Sequence, residues 1–417
     1  MIAVINLSRR WTVLIALLLL AAGIALAQGN RQRGSRERRS NVQFVDGHSA
    51  LNIPFEFEFN EIVLKVRVNN SPPVKFMFDT GAGLSVAGTR LATALHLKKV
   101  DTVKATGVGG SVAGSLASGI SLSVPGVTVR NQRLALLPLE FPFCEGKEIQ
   151  GIIGYDFIRK FVVKIDYDAR TISFFDPQSY QYQGPGDVIP LIIRTTPFVR
   201  ARVAASGRSP IEGLFEIDTG SDGALSINSP FVNRHQLLNA ARNQSASSEK
   251  GLGGESERVL ARIDYFQLGR FKLASPIVSF STDTEGSLAS TENDGPIGNE
   301  IMRRFKVTID YSRQRMILEP NEHVSEAFED DMSGLTIDSE GLGCRIFKVS
   351  GVNEKSPAAE AGVLAGDEIV AIDGKPAGQF TSSQIEKMLM QNGAEVSLTI
   401  RRNGSDRIAK IKLRRLT

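Results

Sequence analysis

Two stretches decide how this chain reads: Phe76-Met77-Phe78-Asp79-Thr80-Gly81-Ala82 and Leu214-Phe215-Glu216-Ile217-Asp218-Thr219-Gly220-Ser221. In each, a short run suited to a buried strand delivers an aspartate into a tight Thr-Gly turn. A carboxylate at the end of a buried strand is costly unless it is hydrogen-bonded, paired or functional. The turn offers that support. Glycine lets the backbone bring amide N–H groups towards the carboxylate, and threonine can place a hydroxyl to lock the turn.

The duplication extends well beyond the aspartates. Gly107-Val108-Gly109-Gly110 returns as Gly251-Leu252-Gly253-Gly254, Gly151-Ile152-Ile153-Gly154 as Gly295-Pro296-Ile297-Gly298, and Ile165-Asp166-Tyr167 as Ile309-Asp310-Tyr311, each 144 residues on. The Asp-Thr-Gly blocks are 139 apart, so the second copy has gained five residues in a loop, where length is cheap to change. A period this long is not a solenoid unit, which takes about 20 to 50 residues. It is a duplicated domain. Each copy predicts β structure: 62–68, 74–78, 161–167 and 171–175 in the first, and 198–203, 213–217, 305–311 and 315–319 in the second. The join, 176–190, is rich in Gln, Tyr, Gly and Pro and reads as a linker.

With 417 residues, 42% hydrophobic and 23% charged, the chain has room for two or three domains and is neither disordered, collagenous nor a multi-span membrane protein. The net charge of +4 invites a nucleic-acid reading. Residues 1–40, however, hold seven Arg and one Glu, which leaves −2 for the rest, so no nucleic-acid partner is expected. Arg9-Arg10, the apolar run 11–27 and Ala25-Leu26-Ala27 read as a secretory signal over 1–27, followed by an Arg-rich linker over 28–50. An uncleaved signal would be a membrane tether, and arginines 31–39 resist translocation. The expectation is an exported protein, periplasmic or extracellular. Cys144 and Cys344 lie far apart, so two unpaired thiols are expected rather than a disulfide framework.

If the two copies pack about a pseudo-twofold axis, Asp79 and Asp218 face one another. Two carboxyl groups at close range share a proton, and such a pair can activate a water for attack on a carbonyl. A lone Asp-Thr-Gly is an ordinary turn, but two with matching Gly blocks are not. Phe78-Asp79-Thr80-Gly81-Ala82-Gly83-Leu84-Ser85-Val86 with Gly151–Gly154 resembles the retropepsin/pepsin clan of aspartic proteases, over roughly residues 51–320. The resemblance implies a catalytic dyad of Asp79 and Asp218 supported by Thr80, Gly81, Thr219 and Gly220. It also implies flaps at Gly109, Gly110, Gly253 and Gly254, and polypeptide substrates. The second copy departs from the family spacing after Gly220, in Ser221-Asp222-Gly223-Ala224-Leu225-Ser226. Asp166 and Asp310 sit in strand-turn settings and read as structural. No cofactor or metal is expected. The four His (48, 96, 235, 323) form no His-Glu-x-x-His, no Gly-x-Ser-x-Gly occurs, and the Gly-rich turns lack a phosphate-loop ending.

From about Met332 the pattern changes. Lys355-Ser356-Pro357-Ala358-Ala359-Glu360-Ala361-Gly362, Ala365-Gly366-Asp367-Glu368-Ile369 and Ile372-Asp373-Gly374 resemble a bacterial-type PDZ domain over 332–417, with a helix expected over 381–391 and an Asn403-Gly404 hairpin turn. The resemblance implies capture of peptide C-termini or extended peptides at Gly334-Leu335-Thr336-Ile337, with Gly341-Leu342-Gly343 as a rival, or a regulatory role against the lobes. The sequence thus predicts a mainly β chain: lobe 1 over 51–180, lobe 2 over 181–325 and a PDZ domain, with the aspartates paired in one monomer rather than an obligate dimer. Two other readings remain at this point: a catalytically silent peptide-binding scaffold, and lobes that pair between chains.

Overall fold

The computed structural model describes residues 41–139, 148–205 and 207–416. The signal over 1–27, the linker up to residue 40 and Cys144 lie outside the described residues. What is described is mainly β, in four sheets. One nine-stranded sheet is built from the first copy and one ten-stranded sheet from the second, with a six-stranded sheet drawing on both copies and another six-stranded sheet in the C-terminal unit.

In each lobe the aspartate strand lies beside the Gly block. Val74–Phe78 pairs antiparallel with Glu61–Val68 and parallel with Gly151–Ile153, and Ile211–Ile217 pairs antiparallel with Pro197–Ala204 and parallel with Pro296–Ile297. Alternation sets the faces. Phe76 and Phe78, like Phe215 and Ile217, are fully buried in the core, which turns Met77 and Asp79 in one lobe, and Glu216 and Asp218 in the other, to the opposite face.

The shared sheet explains the Ile-Asp-Tyr repeats. Val162–Asp166 and Phe305–Asp310 do not stay in separate lobes; they pair antiparallel with each other, Lys164 opposite Thr308, and are flanked by Thr171–Phe175 and Ser49–Pro54 on one side and by Arg315–Pro320 and Asp187–Pro190 on the other. Val162, Val163, Ile165, Val307 and Ile309 are all buried, as strands covered on both faces must be, so their near-continuous apolar pattern marks burial rather than one-sided packing. Phe157, Phe161 and Phe174 meet edge-on beneath, with centroids 5.2 to 6.0 Å apart. One apolar core runs without a break through both lobes.

Two linker expectations need correction. Asp187–Pro190 is a strand of the shared sheet, and Tyr182 pins the preceding segment by donating to Glu319 and accepting from the Gly186 amide. Likewise Val42–Phe44 pairs with Val127–Leu137, and Ser49–Pro54 pairs with Thr171–Phe175, so residues 42–50 belong to the fold. Polar, Gly- and Pro-rich composition conceals both, because an edge strand needs pairing on only one side.

The C-terminal unit has its own core, with Phe347, Ile369, Ile385, Leu398, Ile400 and Ile411 buried together. Its helix, Ser382–Leu389, starts on a capping box between Thr381 and Gln384, and Asn403 and Gly404 both adopt positive φ in the hairpin turn. A strap joins it to lobe 2. The fully buried Arg304 pairs with Glu300 at 2.9 Å, donates to the carbonyls of His323 and Glu326 and stacks on Phe328, while Arg262 and Arg415 both pair with Glu329. Cys344 is disulfide-bonded and buried, which corrects the expectation of two unpaired thiols.

Candidate active site

The two Asp-Thr-Gly turns meet in one chain. Thr80 Oγ1 donates to the Ile217 carbonyl at 2.6 Å and accepts from the Thr219 amide at 3.0 Å; Thr219 Oγ1 donates to the Phe78 carbonyl at 2.8 Å and accepts from the Thr80 amide at 3.1 Å. Each hydroxyl therefore satisfies a donor and an acceptor on the opposite lobe, at 0% and 1% exposure. The glycines explain themselves by proximity. A Cβ on Gly81 would lie 2.6 Å from the Asp218 carboxyl carbon, and one on Gly220 would lie 2.5 Å from that of Asp79. Each carboxyl is packed on the other lobe's glycine.

Asp79 Oδ1 accepts from the Gly81 and Ala82 amides at 2.8 and 2.9 Å, and the Asp79 carboxyl is hydrogen-bonded to that of Asp218. Asp218 Oδ1 accepts from the Gly220 amide at 2.9 Å. Here the departure after Gly220 shows: where Ala82 donates to the carboxylate in lobe 1, Ser221 donates to the Asp218 backbone carbonyl instead. Burial pushes the Asp79 carboxyl up to about 6, against the downward pull of Asp218 and the two amides, and the charge of Glu216 adds to the rise. Two buried acids joined by a hydrogen bond hold one proton between them over a wide pH range.

The lobes meet again at the Gly-rich hairpins. Gly109 donates to the Leu252 carbonyl at 3.1 Å, and Leu252 packs on the lobe 1 cluster of Val86, Leu116, Ala135 and Leu137. Gly110, Gly253 and Gly254 have φ of +126°, +93° and +136°, and a Cβ on Gly109 would fall 2.2 Å from the Gly254 carbonyl carbon. The tips touch backbone to backbone. The lobes thus touch at two places, the aspartate turns and the hairpin tips.

Several residues at this site carry no motif. Asp156 accepts from the Ser85 amide and hydroxyl, both at 2.7 Å, which ties the turn after Asp79 to the helix after the Gly block, and burial raises its carboxyl. Asn299 donates to the Thr219 carbonyl and accepts from Tyr167 of the other lobe at 2.8 Å, while Tyr311 packs against Tyr155 at 5.5 Å. Glu216 is half-buried and hydrogen-bonded to Thr196; burial and the neighbouring Asp218 push it up to about 8. Its signal was present in the sequence as an acid two residues before Asp218 in an otherwise apolar run. Asp310 pairs with Arg313 and Arg315 and Asp166 with Lys306, away from the dyad.

In the C-terminal unit Gly334, at φ +79°, opens the strand Leu335–Glu340, which carries Leu335, Thr336 and Ile337. Among the described residues it is an edge strand, paired only with Ile346–Val352. The helix Ser382–Leu389 runs alongside, with Met332 donating to the Leu389 carbonyl and Ser382 reaching Ser339. The rival Gly341–Gly343 lies in the turn that leads to Cys344.

Two segments of the chain match known families. Residues 64–157 match the aspartyl protease family, a span that takes in Asp79 and the first Gly block but ends before Asp218, and residues 348–402 match the PDZ domain. A carboxy-terminal-processing protease of Bartonella bacilliformis is 29% identical over 176 residues, 37% of this chain; the chain spans 41% of that relative's length. An aspartic proteinase from Irpex lacteus aligns over 67% of this chain and 99% of its own at 14% identity, with a TM-score of 0.44. One chain thus carries an aspartyl protease segment, within a pair of matched lobes, and a PDZ domain.

Proposed function

We propose that the chain is an exported aspartic endopeptidase whose dyad is Asp79 and Asp218. The observation that carries this is the pair of hydrogen-bonded carboxyls, each packed on the opposite lobe's glycine and fixed by the reciprocal threonines. The ionised member takes a proton from a water held between the two, the resulting nucleophile attacks a peptide carbonyl, and the protonated member donates to the carbonyl oxygen. Thr80 and Thr219 fix the two turns against each other without touching substrate. The Gly107–Gly110 and Gly251–Gly254 hairpins act as flaps that part to admit an extended chain and exclude water on closing. The PDZ edge strand Leu335–Glu340, beside its helix, receives a peptide as an added strand and brings substrate to the cleft. Export is supported by the apolar leader in the sequence and by the disulfide at Cys344, since such bonds persist in oxidising compartments.

The test is a peptidase assay from acid to neutral pH on wild type, Asp79→Asn and Asp218→Asn, with a statine-type inhibitor alongside. Each substitution is expected to lower kcat by about 10²–10⁴-fold. Absence of cleavage by wild type, with peptide still bound, would favour a silent binding protein, and full activity in both variants would refute the dyad.

A further inference from the structure

The two lobes present the same floor but unlike walls. Residues two before each aspartate share its face of the strand, so Met77 stands beside Asp79 and Glu216 beside Asp218. Met77 is buried in a core cluster with Val63 and Ile149, against which Ile152 packs. Glu216 sits in the matching place opposite, its carboxyl held by Thr196 on a turn whose neighbour, Thr195, lies against Gly83 of lobe 1. It is therefore at the lobe boundary, within electrostatic reach of both Asp79 and Asp218.

Among the described residues, no cation is paired with this acid. The nearest basic residue on the same turn, Arg194, stacks over Phe198 and donates to the Glu292 carbonyl at 2.9 Å. The influences on Glu216 are burial, the repelling Asp218 and the Thr196 hydroxyl, and none of them is a cation. A half-buried acid facing a cleft that concentrates negative potential is a receptor for positive charge brought by a ligand.

We propose that Glu216 makes the lobe 2 side of the dyad a recognition site for a lysine or arginine side chain next to the scissile bond. This rests on the endopeptidase reading above. The protein would accordingly cut peptides in which a basic residue flanks the bond. On binding, the ammonium or guanidinium stabilises the ionised Glu216, which gives up its proton to solvent; no bond in the substrate depends on that transfer.

The experiment is cleavage of a proteome-derived peptide library read by mass spectrometry, followed by kcat/KM for a peptide pair that differs only by lysine or norleucine at the favoured basic position. Wild type, Glu216→Gln and Glu216→Met are compared, with Asp79→Asn as the control for dyad-dependent cleavage. Wild type is expected to enrich Lys and Arg at one flanking position. The lysine-to-norleucine ratio is expected to fall about tenfold or more in Glu216→Gln and to invert in Glu216→Met. Asp79-dependent cleavage with a ratio unmoved in both variants would overturn this inference and leave the endopeptidase reading standing. Absence of Asp79-dependent cleavage in wild type would overturn both. Glu216→Gln keeps size and hydrogen bonding to Thr196, so its thermal midpoint separates lost recognition from lost folding.

Discussion

Removing one threonine hydroxyl should cost more than any surface change, and the amount follows from the groups left behind. In Thr219→Val the shape is kept but the Phe78 carbonyl and the Thr80 amide lose their partner. Both belong to the closed interface, where Thr80 is 0% and Thr219 1% exposed, so water does not replace the lost hydroxyl. Each orphaned buried group costs about 1–3 kcal/mol, or about 2–6 kcal/mol for the pair. That is a large part of a stability that is typically about 5–15 kcal/mol. Thr219→Ser keeps the hydroxyl and loses one methyl, worth about 1 kcal/mol. Urea unfolding can be followed in the lobes alone by tyrosine near-ultraviolet circular dichroism, because all six tyrosines lie between Tyr155 and Tyr311 and none falls in the PDZ unit. Thr80→Val, which strands the Ile217 carbonyl and the Thr219 amide, is expected to match Thr219→Val. A valine variant no less stable than the serine variant, within about 0.5 kcal/mol, would refute the claim that these hydroxyls hold the lobes together.

Two further outcomes follow from the same geometry. Gly109→Ala puts a methyl into the Gly254 backbone, so the flap tips must separate; kcat/KM is expected to fall at least about tenfold while urea stability changes by less than about 0.5 kcal/mol, and an unchanged kcat/KM would count against flap closure. The acids at the floor set a pH dependence with a definite sign. Asp79, raised to about 6, and Glu216, raised to about 8, hold protons in the folded state that the unfolded chain has released, so their contribution is complete below about pH 4 and is lost as pH rises through 6 to 8. Thermal midpoints of Glu216→Gln should therefore exceed wild type at pH 8 but not at pH 4, and wild-type kcat/KM should decline above about pH 6 as the shared proton leaves.

What was legible in the sequence is what the pseudo-twofold axis demands twice. Both threonines, both glycines beneath the carboxyls and the Gly-rich hairpins recur because each half of a symmetric contact faces the same steric problem, and comparing the chain with itself exposes them. The shared sheet was not legible. Strands 161–167 and 305–311 are plain in their apolar pattern, but periodicity reports which face is buried and not which strand lies next to it, so their pairing across the copies left no local mark. The disulfide at Cys344 was hidden for a similar reason, since separation in sequence says nothing about separation in space.

The same argument says where to look for selectivity. Positions that bond reciprocally to their own image across the lobes, Thr80 and Thr219, have little freedom to differ. In the proposed endopeptidase, positions around the dyad meet substrate, which has no twofold symmetry, so divergence there is free of cost to the interface. Two pairs that do not bond to their own image have diverged. Met77 is matched by Glu216. Asp156, which braces Ser85, is matched by Glu300, which instead pairs with Arg303 and Arg304 and accepts from Asn60 across the lobe boundary. Glu300 is occupied by its own lobe's cations, whereas the groups acting on Glu216 include none, and this leaves Glu216 as the diverged acid that the cation of a substrate would ionise in the proposed site.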